Sequence, residues 1–215
     1  MFENKLAAAL SGSPLEGKEG GKLAALARPF LETVAEATPT PGGGSMSAFA
    51  AAGAAALGQM VAGLSRKKKS QAAFVDKLSA ELDGLRKTRD ALTAAIDRDA
   101  VAYEEVLKAC KLPQSNAEEI KLRNQEVQRT THGAAEVPLE VAERTVALFE
   151  QLGQLRSIAA ASMRSDLDVG QLLASAAARG AMANVEINLD GIADSGYVTG
   201  VREKLAGLKQ RLGGG

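Results

Sequence analysis

Thr40-Pro41-Gly42-Gly43-Gly44-Ser45 leads into Met46 to Leu64, nineteen residues without a charge, mostly alanine and glycine. A run this long and this small suits either the centre of a helical bundle, where neighbouring backbones come close, or a membrane. Ala50, Ala54, Gly58 and Ala62 fall four apart and make one face of very small side chains, while Leu57, Val61 and Leu64 supply bulk elsewhere. The length would span a bilayer, and small residues at every fourth place also pack membrane helices. The buried central helix is the better reading. Alanine and glycine give little transfer energy, Gln59 lies inside the run, and no second apolar span exists in the sequence. Ahead of the helix, proline fixes one turn, the glycines allow backbone angles closed to other residues, and Ser45 is placed to cap the first turn. A ligand could touch bare backbone there.

With 215 residues the chain is long enough for one sizeable core. Lys plus Arg number 26 and Asp plus Glu number 26, so no net field recruits nucleic acid or an anionic membrane, and 3% aromatic residues leave few stacking platforms. Cys110 is the single cysteine and His132 the single histidine, which excludes internal disulfides and any multi-His or multi-Cys metal site. Acid and base work therefore falls to carboxylates, lysines or tyrosines. No leader pattern is visible, and a cytoplasmic location is the expectation.

In chain order, residues 2 to 10 read as a short amphipathic helix, and Ser11 to Gly21 as a Ser, Gly and Pro rich connection. A second helix, about 22 to 37, places Leu23, Leu26, Phe30 and Val34 at helical spacing and stops before Pro39. Residues 1–37 form an N-terminal helical extension in this reading, and 38–215 one helical domain. Arg66, Lys67, Lys68 and Lys69 follow the small-residue helix, either as a solvated helix end or as an anion clamp. Residues 71 to 111 read as one long helix, about 60 Å if unbroken.

The seam of that long helix runs through Leu78, Leu82, Leu85, Arg89, Leu92, Ile96, Asp99, Tyr103, Val106 and Cys110. Arg89 and Asp99 do not belong on a packed face. A carboxylate among Leu, Ile, Val and Tyr loses solvation, which raises its pKa and suits it to proton exchange near neutrality. The alternative is that Asp99 pairs with a cation or caps a neighbouring helix. Asp97 points off the seam.

Ser115-Asn116-Ala117-Glu118 matches a capping box opening a helix to about His132, and Pro138 suits the first turn of another reaching about Ala161. Arg164-Ser165-Asp166 resembles a cap for a helix to about Leu189. On it, Asn184 and Asn188 lie four apart on one face, placed either to bridge helices or to hydrogen-bond a polar heterocycle. A last helix spans about 195 to 212. No useful β-alternation appears, so the class is all-α, a helical bundle with a long central helix. The glycine loop is neither a P-loop nor a Rossmann turn, because no Gly-Lys-Ser/Thr follows it and no strand precedes it.

Pro39 to Ser45 with its Ala-rich helix, Asp97-Arg98-Asp99-Ala100-Val101-Ala102-Tyr103, Lys111-Leu112-Pro113, Val137-Pro138-Leu139, Arg164-Ser165-Asp166 and Ala183-Asn184-Val185-Glu186-Ile187-Asn188-Leu189 occur in this order and spacing. Together they resemble the formiminotransferase-cyclodeaminase C-terminal family, over about residues 30 to 212. The resemblance implies an all-helical cytoplasmic homodimer acting on a one-carbon unit between N5 and N10 of tetrahydrofolate, without metal or redox cofactor. It implies formimidoyltetrahydrofolate cyclodeaminase activity first and methenyltetrahydrofolate cyclohydrolase activity second. Asp99, already singled out by the seam, matches the family's catalytic aspartate. Gly42, Gly43, Gly44, Ser45, Lys68, Lys69, Tyr103, Asp166, Asn184 and Asn188 fall on motif positions of the folate pocket, the lysines suited to a polyglutamate tail. Arg66 and Lys67 stand where the family more usually has an apolar-Gly pair, and the connection from Ser11 to Gly21 is additional. The rival from another class is a non-catalytic helical interaction module whose small-residue helix is a dimer interface.

Overall fold

The computed structural model describes residues 23–213, so the expected helix at 2 to 10 and the connection from Ser11 to Gly21 lie outside the described residues. The chain divides into two units between Pro39 and Thr40. In the first, α1 (Leu23–Ala35) carries Pro29, and the Thr33 hydroxyl donates to the Pro29 carbonyl at 2.9 Å.

The second unit contains α2 (Gly43–Arg66), α3 (Val75–Cys110), α4 (Ala117–Leu155), α5 (Arg164–Leu189) and α6 (Ser195–Arg211), with short 3-10 turns at Lys69–Phe74 and Ala161–Met163. No strand occurs among the described residues. Helices α2 to α5 alternate in direction: Ser45 of α2 meets Asp99 of α3, Arg98 meets Glu140 of α4, and Ala134 of α4 meets Asn188 of α5. Helix α2 packs against α3, α5 and α4, and α6 lies on α4 and α5.

The small face of α2 explains its central place. Ala48, Ala51, Ala54, Ala55 and Ala62 have no exposed surface, and a Cβ on Gly58 would run into Leu152 Cδ2 and stand 3.2 Å from Leu85 Cδ2. Side chains this small let helices approach until backbone and neighbouring leucines touch. Helix α2 is long and apolar enough to cross a membrane, yet half of its most apolar 18-residue stretch is buried in the bundle. Its one interior amide has a partner across the helix pair: Arg89 Nη1 donates to Gln59 Oε1 at 2.8 Å, accounting for both polar intrusions at once.

Several expectations change. The glycines at 42–44 are not needed for unusual angles: Gly213 alone among the described residues has positive φ, and Gly42 is an extended N-cap. Ser45 does not cap its own helix, because its hydroxyl turns to α3. The helix from Ala117 does not stop near His132; it runs unbroken through Pro138 to Leu155, rather than restarting there and reaching Ala161. Its start is capped one residue later than read, with Asn116 accepting from the Glu119 N–H and Glu119 accepting from the Ser115 N–H. Ser165 and Asp166 do not cap α5, whose N-cap is Met163.

The α3 seam is buried at Leu78, Leu85 and Leu92, half-buried at Ile96 and Asp99, and exposed at Tyr103 and Cys110. The packed seam does not extend to Cys110 as read, because α2 begins level with Asp99 and leaves the rest of α3 to pair with the start of α4, where Arg123 Nε donates to the Cys110 carbonyl.

Candidate functional site

The N-terminus of α2, whose first amide groups have no partners within the helix, lies against the C-terminal part of α3. Asp99 occupies that place. Ser45 Oγ lies 2.9 Å from Asp99 Oδ2 and 3.0 Å from the Ile96 carbonyl, and the Ser45 backbone N–H also donates to the Asp99 carboxylate. Both alternatives raised by the sequence are therefore met by one residue: Asp99 caps a neighbouring helix and is also desolvated. Burial pushes its pKa above the usual carboxylate value, while the Ser45 hydroxyl and N–H pull the other way and lose.

Space for this contact comes from Gly44. A side-chain carbon there would overlap Asp99 Oδ1, so any residue but glycine would expel the carboxylate. Gly43 faces Asn184 of α5, whose Nδ2 would lie 3.1 Å from an added Cβ. Asn184 Nδ2 donates to the Gly180 carbonyl at 2.9 Å. Asn188 Nδ2 donates to the carbonyls of Asn184 and Ala134, at 2.9 and 3.0 Å. Tyr103, one turn beyond Asp99, is 39% exposed, and Asp97 is solvated as expected. Gly42 to Ser45, Asp99, Asn184 and Asn188 thus gather at one end of the bundle, with Tyr103 at its rim.

Lys68, Lys69 and Asp166 lie elsewhere. The two lysines are exposed just past the C-terminus of α2, about 35 Å from Gly44 at 1.5 Å per residue. Asp166 sits in the first turn of α5, whose Gly170 packs near Ala54 and Leu57, toward the same far end. Within one chain the residues that the resemblance assigns to a folate pocket form two groups, not one. The helix that joins the two motifs also separates them by its own length.

Beside Asp99 the structure adds a charged brace that the sequence reading did not single out. Arg98 Nη2 and Arg144 Nε donate to Glu140 at 2.8 and 2.7 Å. Partial burial pushes Glu140 up, but the hydrogen bonds from Arg144 and Arg98 outweigh it and hold the carboxyl below its ordinary value. Arg98 is thereby turned away from Asp99. A cleft of about 600 Å³ between α5 and α6, lined by Arg179, Glu186, Ile187 and Lys209 among others, contains none of the candidate residues. Among the described residues no three His, Cys, Asp or Glu side chains are grouped to hold a metal ion.

Comparison with known proteins meets this geometry. A family model described as formiminotransferase-cyclodeaminase matches residues 27–207. The formimidoyltransferase-cyclodeaminase of Sus scrofa is 33% identical over 198 residues, covering 92% of this chain and 36% of that protein. The chain thus spans about a third of the length of such animal relatives. A methenyltetrahydrofolate cyclohydrolase of Methylorubrum extorquens is 32% identical over 190 residues, covering 86% of this chain and 88% of that one. The crystal structure of a formiminotetrahydrofolate cyclodeaminase from Thermotoga maritima superposes with a TM-score of 0.78 at 29% identity, covering 87% of this chain and 89% of that one.

Proposed function

The chain belongs to the formiminotransferase-cyclodeaminase family, and from that membership we propose that it is a formimidoyltetrahydrofolate cyclodeaminase, converting 5-formimidoyltetrahydrofolate to 5,10-methenyltetrahydrofolate and ammonia. The observation that carries the reading is Asp99, a half-buried carboxyl of raised pKa held at the N-terminus of α2. Starting from the protonated formimidoyl group, N10 attacks its carbon and forms the new C–N bond. The carbon becomes tetrahedral between N5, N10 and the former imino nitrogen. Asp99 takes the proton from N10 and returns it to that nitrogen, which leaves as ammonia while the N5 lone pair restores the double bond. A carboxyl whose pKa burial raises above the ordinary carboxylate value is suited to both transfers. The amides at Gly43 and Gly44 and the side chain of Asn184 border the same space and supply polar contacts to the pterin.

The second reading, methenyltetrahydrofolate cyclohydrolase, is favoured by the Methylorubrum relative of matching length. There water adds to the methenyl carbon, Asp99 removes one of its protons, and the N5–C bond breaks as the remaining hydroxyl proton passes to N5, giving 10-formyltetrahydrofolate. The test follows methenyl absorbance and ammonia together from 5-formimidoyltetrahydrofolate, against an enzyme-free blank. A catalysed rise in both supports the cyclodeaminase. No rise, with catalysed decay of methenyltetrahydrofolate, moves the assignment to the hydrolase, and neither activity overturns both.

The proposal includes a homodimer, cytoplasmic and without metal or redox cofactor. Met46, Phe49, Gly53, Ala56 and Leu64 form an exposed apolar line along α2, and Leu172 and Ile187 of α5 are exposed at 72% and 71%. A second copy lying antiparallel across α2 would cover this line. It would also carry its Lys68 and Lys69 to the Asp99 end of the first copy, where ammonium groups suit the glutamate tail.

A further inference from the structure

We propose that Ser45 is a positioning residue for Asp99 and not a contact to the substrate. This rests on the reading of Asp99 as the proton-transfer group. Ser45 has no exposed surface, so a ligand entering at the glycine loop meets Gly43 and the Asp99 carboxyl before it could meet the serine. The single hydroxyl proton is shared between Asp99 Oδ2 and the Ile96 carbonyl one turn earlier on α3. Serine therefore fixes both the rotation of the carboxyl and the register of α2 on α3. The other oxygen, Oδ1, occupies the space that a side chain at position 44 would fill, so the carboxyl fits only because Gly44 has none.

The surroundings leave Ser45 as the group that tunes this carboxyl. From α2 it is faced by Gly44 and Ser45, neither charged, and Asn184 of α5 beyond Gly43 is a neutral amide. On α3, Arg98 is engaged by Glu140 of α4, which also holds Arg144, and Asp97 and Tyr103 face solvent. A hydroxyl donating to a carboxylate favours its ionised form. Loss of the hydroxyl makes Asp99 harder to ionise and freer to rotate.

The experiment is the pH profile of kcat and KM for the wild type, Ser45→Ala and Ser45→Thr, with Asp99→Asn as reference. Ser45→Ala is expected to move the acid limb of kcat upward and to lower kcat on that limb by about tenfold, the size of one hydrogen bond to a charged group. KM stays within about twofold, and Ser45→Thr, which keeps the hydroxyl, restores the limb. A profile for Ser45→Ala that superposes on the wild type overturns the proposal, and so does a raised KM with an unmoved limb, the mark of a substrate contact. If the added methyl of Ser45→Thr prevents folding, Ser45→Cys supplies a weaker donor of similar size and is expected to fall between wild type and alanine; a cysteine profile no better than alanine overturns the assignment. Full turnover in Asp99→Asn would instead remove the catalytic reading, a failure separable from that of Ser45.

Discussion

Asn188 on α5 supplies what Pro138 on α4 lacks. Proline has no N–H, so the carbonyl four residues earlier, Ala134, loses its helical donor, and Asn188 Nδ2 reaches it at 3.0 Å. Ala134 and Pro138 are both buried, where an unpaired carbonyl is costly. The helix continues because a side chain from another helix closes the gap.

A double-mutant cycle tests this pairing. Asn188→Leu should destabilise the protein by about 1–3 kcal/mol, the range for an orphaned buried acceptor. In a Pro138→Ala background the restored N–H satisfies Ala134, and the same change at 188 should cost clearly less. Equal costs in the two backgrounds, measured by denaturant unfolding, would disconnect Asn188 from the proline.

How far the sequence could be read follows from where such compensations come from. The small face of α2 and the α3 seam as far as Asp99 depend on periodicity within one segment, so both were legible to that point, and Asp99 stood out because it broke a local pattern. The continuity of α4 depends on Asn188, 54 positions from the carbonyl it serves, and no local signal at Pro138 announces it. The direction of Ser45 was illegible for the same reason, since serine near a helix start reads as its own cap unless the opposing carboxylate is known. The separation of Lys68 and Lys69 from Gly44 was, by contrast, implicit in the helix read between them, because 24 residues at 1.5 Å each span about 35 Å.

Asp99 links activity to pH-dependent stability. Asp99→Asn should lower turnover by about 10² or more if the carboxyl moves protons. Its folded pKa is raised above its unfolded value, so between the two the native state binds more protons and stability falls as pH rises. The asparagine variant loses that slope. The melting temperature of Asp99→Asn minus that of wild type should therefore increase from acid toward neutral pH. A difference that is flat or decreases would contradict a desolvated carboxyl.

Two glycines on α2 should respond in opposite ways to alanine. At Gly58 the new methyl meets Leu152 and Leu85 in the closed core, and overpacking of about 1–3 kcal/mol should exceed the helix-propensity gain of about 1 kcal/mol. At Gly53 nothing lies within 4 Å, and the propensity gain should appear undiminished in the unfolding free energy of the isolated chain. Calorimetry of the two variants decides, and a Gly58→Ala protein as stable as Gly53→Ala would mean the α2 face is not close-packed.

The dimer proposal makes the two groups of site residues one site by joining two chains, and this can be tested through function. Gly53→Arg places a charge in the middle of the exposed apolar line of α2, where a second copy would have to bury it unpaired. Sedimentation should report a monomer with the helical content of wild type; an unchanged dimer would exclude this face. Mixing then assigns the lysines. An Asp99→Asn chain lacks the carboxyl and a Lys68→Ala, Lys69→Ala chain lacks the tail contacts. Refolded together, they form mixed dimers in which one of the two sites has the carboxyl from one chain and both lysines from the other. With polyglutamylated substrate far below KM, the mixture should turn over faster than the mean of its two parents. A rate no higher than that mean would show that Lys68 and Lys69 do not reach across to Asp99, and would return them to a solvated helix end.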